Sequence, residues 1–179
     1  MKPAPSRDAR AREIWSASKA ELLSLLRGGR AVDPNALAGH DFRGVSLGLP
    51  GFVEALTWKT FRKSFSKNAE GGVDGLNVKL VQSGVDAQPE PKRTADGSPV
   101  TFGPFAVVPL PSCGTPFGCK EGVVFDYAAR HPAWHPMAPS RDVVVALDEG
   151  GTLLLGALYL DLPLGRLRTP SFFTLERED

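Results

Sequence analysis

Residues 37–65 read LAGHDFRGVSLGLPGFVEALTWKTFRKSF, and the way this stretch folds decides the architecture. His40 to Leu47 reads as a first strand, with glycines at 39, 44 and 48 that permit sharp turns or close approach of a neighbouring strand. Pro50-Gly51 interrupts it. Residues 52–67 fit two patterns. Trp58, Phe61 and Phe65 recur at i, i+3 and i+7, as on a helix face, whereas the Thr/Trp/Phe content favours a strand. The reading adopted is a short helical turn near 52–57 followed by a strand near 58–66.

Upstream, residues 1–7 are polar and contain proline, which predicts a flexible arm. Residues 8–27 are helix-forming, with Ile14, Trp15, Leu22, Leu25 and Leu26 near helical spacing and Gly28-Gly29 as the stop. This amphipathic helix has a basic outer face, which reads as solvated rather than as a membrane-surface helix. Asp33-Pro34-Asn35 then breaks the chain.

Downstream, Asn68 to Gly75 reads as a turn, Leu76 to Gln82 as a strand, and 83–99 as a long polar loop. VTFGPFAVVPL, residues 100–110, is apolar but cut by Pro104 and Pro109, which predicts an edge or bent strand. Further strands are expected at Gly122–Ala128, Asp142–Leu147, Thr152–Leu162 and Ser171–Glu176, with a turn at 163–170. Short strands separated by turn signals after one leading helix predict a mainly β barrel or sandwich over 39–177, in a single domain of 179 residues.

Composition agrees with a turn-rich chain: 19 glycines and 16 prolines exceed the usual share. Lys and Arg total 21 against 20 Asp and Glu, so no global field draws the chain to nucleic acid or anionic membrane. The early basic residues are followed by no apolar run, which argues against a secretory signal. No apolar run is long enough for a spanning helix. A cytoplasmic location is the default expectation. Cys113 and Cys119 in CGTPFGC read as two buried thiols before a disulfide, and too few ligands surround them for zinc.

Three constellations could carry chemistry. Asp126, His131, His135 and Asp142 form D-x4-H-x3-H-x6-D, but Pro132 and Pro136 exclude the helix that would align the histidines. No metal or cofactor is therefore expected, although a barrel enzyme using this region is one alternative, and it requires two of these groups to converge. Nucleophile signatures, a P-loop and a dinucleotide fingerprint are absent. The basic-aromatic run at 58–67, with Lys59, Arg62, Lys63 and Lys67 between rings, is what a nucleic-acid or protein-binding platform needs if its rings point outward; the near-neutral charge argues against nucleic acid. Finally, an eight-strand barrel can enclose one small ligand, or fill with side chains.

Phe42-Arg43-Gly44 and Lys63-Ser64-Phe65 resemble the W-x-G and K-x-F elements of the bacterial GXWXG-type proteins. Asp126-Tyr127, a proline at 132 or 136, Arg141-Asp142, TLLLG at 152–156 and FFTLER at 172–177 are similar to that family's closing strands. The matched pieces cover about half of the chain. Phe42 stands in place of the Trp, and the 83–122 segment has no counterpart. The resemblance implies a lipocalin-like antiparallel β-barrel that captures a small apolar molecule. The expectation is non-catalytic binding of a hydrophobic or amphipathic ligand, lined by Phe42, Trp58, Phe61, Phe65, Tyr127, Tyr159 and Phe172, with Arg43 or Lys63 meeting its polar head.

Overall fold

The computed structural model describes residues 7–48 and 59–178. Trp58 and the helical turn expected at 52–57 lie outside the described residues. Two helices occupy the region expected to hold one: α1, Arg7–Trp15, and α2, Lys19–Arg27. The break between them is set by Ser18, which caps α2. Its hydroxyl accepts from the Glu21 amide, while the Glu21 carboxylate accepts from the Ser18 amide at 2.7 Å. This reciprocal box starts a new helix and cannot form inside a continuous one. Asp33-Pro34, expected only to break the chain, instead starts a short helix, α3, Pro34–Leu37, with Asp33 as its cap and proline in the first turn.

Eight antiparallel strands follow and close in sequence order into a barrel. They are β1 Asp41–Leu47, β2 Thr60–Lys67, β3 Val73–Lys79, β4 Thr101–Pro109, β5 Val123–Asp126, β6 Ser140–Ala146, β7 Leu153–Leu162 and β8 Gly165–Glu178. Closure comes from β1 pairing with β8, Asp41 opposite Glu178 through Leu47 opposite Phe172. The fold is thus a mainly β, lipocalin-like antiparallel barrel with leading helices.

Three boundaries differ from the sequence reading. The third strand begins at Val73, because Asp74 and Gly75 pair with β2 and do not turn. Residues 165–170, expected as a turn, belong to β8 and pair with the end of β7. The proline-cut β4 is no edge, since it pairs with β3 and β5. A register shift opposite Gly75–Asn77 absorbs Pro104, and Pro109 falls at the last residue of the strand, so ladder bonding survives the missing amides.

Both faces of the sheet are buried over much of their area. The outer face carries Val45, Val143, Val145, Leu153, Leu155, Ala157, Tyr159 and Phe172, covered by Ala11 and Ile14 of α1, Leu22 and Leu26 of α2, and Phe117 and Cys119 of the β4–β5 loop. The Trp15 indole N–H donates to Thr174 Oγ1 at 2.9 Å, fastening α1 to β8. The inner face holds Phe42, Phe65, Val73, Phe105, Phe125, Tyr127, Val144, Leu154, Phe173 and Leu175, with Val32 and Leu37 packed against it from the end where the chain enters β1.

Glycine and phenylalanine face each other across three strand pairs inside: Gly44 and Phe61, Gly75 and Phe105, Gly156 and Phe173. In each case a Cβ on the glycine would lie 2.2–2.3 Å from a ring carbon. The ring lies over its partner's backbone, which only a residue without a side chain allows. The other end of the barrel bears the β1–β2, β3–β4, β5–β6 and β7–β8 connections, and is called the mouth below.

Candidate functional site

Alternation along β2 turns Phe61, Lys63 and Phe65 to one face and Arg62 to the other. Phe65 belongs to the inner core, while Arg62 lies outside, held by Glu178 and by Asp41 at 3.5 Å. Lys63 is consequently a lysine placed inside the barrel, 2% exposed. Asn77 of β3, Tyr127 just after β5 and Asp142 of β6 point to the same spot. The Lys63 ammonium donates to Asn77 Oδ1 and Tyr127 Oη at 2.8 Å each, and to Asp142 Oδ2 at 3.2 Å. The Tyr127 hydroxyl donates to the same carboxylate oxygen at 3.0 Å, and Asn77 Nδ2 donates to the Gly103 carbonyl at 3.0 Å.

Rings enclose this quartet. The Lys63 ammonium lies 4.6 Å from the centroid of Phe105, and 5.4–5.6 Å from those of Phe61, Phe125, Phe173 and Tyr127. Contacts of this length to desolvated rings favour the cation. Below it, Phe105 stacks on Phe125 at 4.8 Å and meets Phe65 edge-on at 5.9 Å, so the far half of the interior is filled. Toward the mouth stand the Phe61–Phe173 pair, with centroids 5.9 Å apart, and Met137.

Electrostatics follow from the burial. Loss of water pulls the Lys63 amine below its usual range, opposed by the Asp142 charge and hydrogen bond. Burial first, and then the Asp142 charge, pushes the Tyr127 phenol well above its ordinary value of 10.0. The phenol is therefore a fixed hydrogen-bond donor at neutral pH. The quartet is a hydrogen-bonded, charged cluster within an otherwise apolar interior.

The expected lining residues separate into two groups. Phe42, Phe61, Lys63, Phe65 and Tyr127 do face inward and sit together around the quartet. Arg43, Tyr159 and Phe172 face outward, which corrects their placement. Arg43 donates to the Val85 carbonyl on the flank, and Phe117 packs against both Tyr159 and Phe172 at 6.5 and 6.0 Å. Trp58 lies outside the described residues. Asn77, Phe105, Phe125 and the pairing of Asp142 with Lys63 were not expected; the period-two spacing of Val73, Gly75 and Asn77 is the signal that places Asn77 inside once β3 begins at Val73.

The two other constellations are not assembled as their chemistry requires. Phe61 and Phe65 point inward, whereas a stacking platform on β2 needs them outside. Asp126 pairs with Arg141 at 3.1 Å on the outer face, while Asp142 lies inside. His131 and His135 stack on each other at 4.1 Å. Among the described residues no group of three His, Cys, Asp or Glu side chains could hold a metal. Both cysteines are free, but only Cys119 is buried as expected; Cys113 is exposed, which corrects its placement, with the Arg166 guanidinium at its sulfur. No helix among the described residues is long and apolar enough to cross a membrane. No protein-family model and no curated protein matches the chain.

Proposed function

We propose that the protein binds a small amphipathic molecule in the mouth half of the barrel, with the apolar body against Phe61, Phe173 and Met137 and the polar end at Lys63. The GXWXG-type resemblance, whose K-x-F element supplies Lys63 and Phe65, agrees with this reading. The observation that carries it is the buried quartet. A lysine and an aspartate taken out of water are no more stabilising than an apolar pair of the same volume. Ligand chambers, by contrast, are mostly apolar with a few fixed polar groups that orient the guest. With the far half of the interior filled by rings, only a compact guest would lodge in the mouth half, by displacing or packing against Phe61, Phe173 and Met137. Lys63 directs its three N–H donors to Asn77, Tyr127 and Asp142, and Tyr127 its one O–H to Asp142, so a guest's carboxylate or carbonyl would reach the ammonium by replacing Asn77 or Tyr127 as its acceptor.

Native mass spectrometry of freshly purified protein, followed by extraction, tests the proposal. A bound small molecule, or displaceable binding of an apolar fluorescent carboxylate that is lost in Lys63→Met/Asp142→Leu, is the expected result. A homogeneous ligand-free mass together with no binding of the probe would overturn it.

A further inference from the structure

Tyr127 and Asp142, two members of the quartet, stand at either end of the β5–β6 connection. Met137 is the residue of this connection that reaches the interior. It packs against the inner cluster, and a Cβ on Gly103 would lie 2.5 Å from its Cε and 3.2 Å from Asn77 Nδ2. The thioether therefore stands beside the quartet, on its mouth side. Few bonds hold the connection in place. The amides of His135, Ala138 and Ser140 close successive turns onto the carbonyls of Pro132, His135 and Met137 at 2.9 Å each, and the Asp161 amide of β7 donates to the Pro139 carbonyl at 2.7 Å. Prolines at 132, 136 and 139 bring no amide that a ladder could use. A segment held this way opens at lower free energy than the strands it joins.

His131 and His135 complete its packing. Their rings stack with centroids 4.1 Å apart and planes 16° from parallel. The Met137 amide donates to His135 Nδ1 at 3.2 Å, which requires that nitrogen to carry no proton. His131 Nε2 is buried and meets no hydrogen-bond partner among the described residues. A charged His131 must carry an N–H there, enclosed without an acceptor. A charged His135 would turn an N–H toward the N–H of Met137, and two imidazoliums at this separation repel. Loss of water and then the His135 charge hold His131 below its ordinary value of 6.5, against the opposing pull of the Pro104 carbonyl.

The other charged groups around the connection are engaged with one another: Arg130 with Asp74, Arg141 with Asp126, Asp161 with Arg166, and Lys63 with Asp142 beneath Met137. The charge that bears on His131 is that of His135. We propose that the stacked histidines are a proton-operated latch, which holds Met137 over the quartet while both rings are neutral and releases the β5–β6 connection when both are charged. The released form binds more protons, so closure is complete above about pH 6.5 and is lost as pH falls. The movement stands on this geometry alone, whereas its use as a gate for a guest rests on the binding reading above.

Amide hydrogen exchange of the full chain, read by NMR between about pH 7.5 and about pH 5, tests this across the histidine range. After correction for the intrinsic pH dependence of exchange, protection at Met137 and Ser140 is expected to fall by about tenfold or more, while Val144, paired on both sides within the barrel, keeps its protection. His131→Phe/His135→Asn, which retains a flat ring and an acceptor oxygen without a titrating group, should hold its protection throughout. Wild-type protection that does not change with pH overturns the proposal, as does an equal fall in the variant or an equal fall at Val144. Should the variant fail to fold, the ring signals of wild type decide, because protection lost while both rings are still neutral overturns the latch. No guest is present in this experiment, so its failure is distinguishable from failure to bind the fluorescent carboxylate.

Discussion

The Lys63 ammonium and the Asp142 carboxylate meet at 3.2 Å across the inside of the barrel. Lys63 stands on β2 and Asp142 on β6, four strands away in either direction around an eight-strand ring. The pair therefore joins opposite walls. Asp142 is 4% exposed, and neither charge has water to fall back on. Removing one partner strands the other. Lys63→Met is expected to destabilise the fold by about 3–5 kcal/mol, whereas Lys63→Met/Asp142→Leu should lie close to wild type. Urea unfolding of the two variants checks this, and equal losses in both would show that the charges are not coupled.

Tyr127 gives the alkaline limb of stability its shape. Its phenol is raised in the folded chain above the ordinary value of 10.0, so the folded state holds a proton that the unfolded state releases. The corresponding stabilisation is complete below about pH 10 and is lost as pH rises through the folded value. Lys63 acts in the opposite sense, because its folded value is lowered, so its contribution is lost as pH falls through that value. Melting temperature against pH should drop less steeply above pH 10 for Tyr127→Phe than for wild type. Parallel curves would refute the assignment.

The Gly75–Phe105 contact predicts a steric penalty with a specific partner. Gly75→Ala places a methyl 2.3 Å from a Phe105 ring carbon and should cost about 1–3 kcal/mol. Phe105→Leu also costs stability because it unstacks Phe125. Combined, the two should lose less than the sum of the single variants, since the smaller side chain leaves room for the methyl. Strict additivity in denaturant titrations would place the strain elsewhere.

The two thiols should react differently. Cys113 is exposed with the Arg166 guanidinium 3.0 Å from its sulfur, whereas Cys119 is buried and its thiol is raised, chiefly by that burial. A disulfide-exchange reagent is expected to titrate one thiol promptly in the native protein and two in urea. Two fast equivalents under native conditions would contradict the burial of Cys119.

These results also separate what the letters specify from what they do not. The run DVVVAL and the glycine-punctuated β1 identify themselves as strands, and the number of turn signals leads to the barrel. The inward set is harder to read. Helices and the β4–β5 loop bury the outer wall as deeply as rings fill the inner one, so Tyr159 and Phe172 are as apolar in context as Phe42 and Phe173. Alternation then says that two faces exist without saying which is inside. Asp142 looked like a metal ligand because its partner lies 79 residues away on the opposite wall, a distance no local spacing records. The division of the leading helix at Ser18 was legible in principle, since Ser18 and Glu21 spell a capping box, but the flanking leucines mask it.

The three glycine–phenylalanine pairs lend the barrel a property of another kind. Each ring occupies space that its own strand and the next have left free, so the interior is stoppered by a handful of separable pieces and not by interlocked branches. Shortening one such ring empties a compartment over bare backbone and leaves the wall and its hydrogen bonds as they are. The filling of the interior is therefore set one residue at a time, independently of the strand ladder that closes the shell.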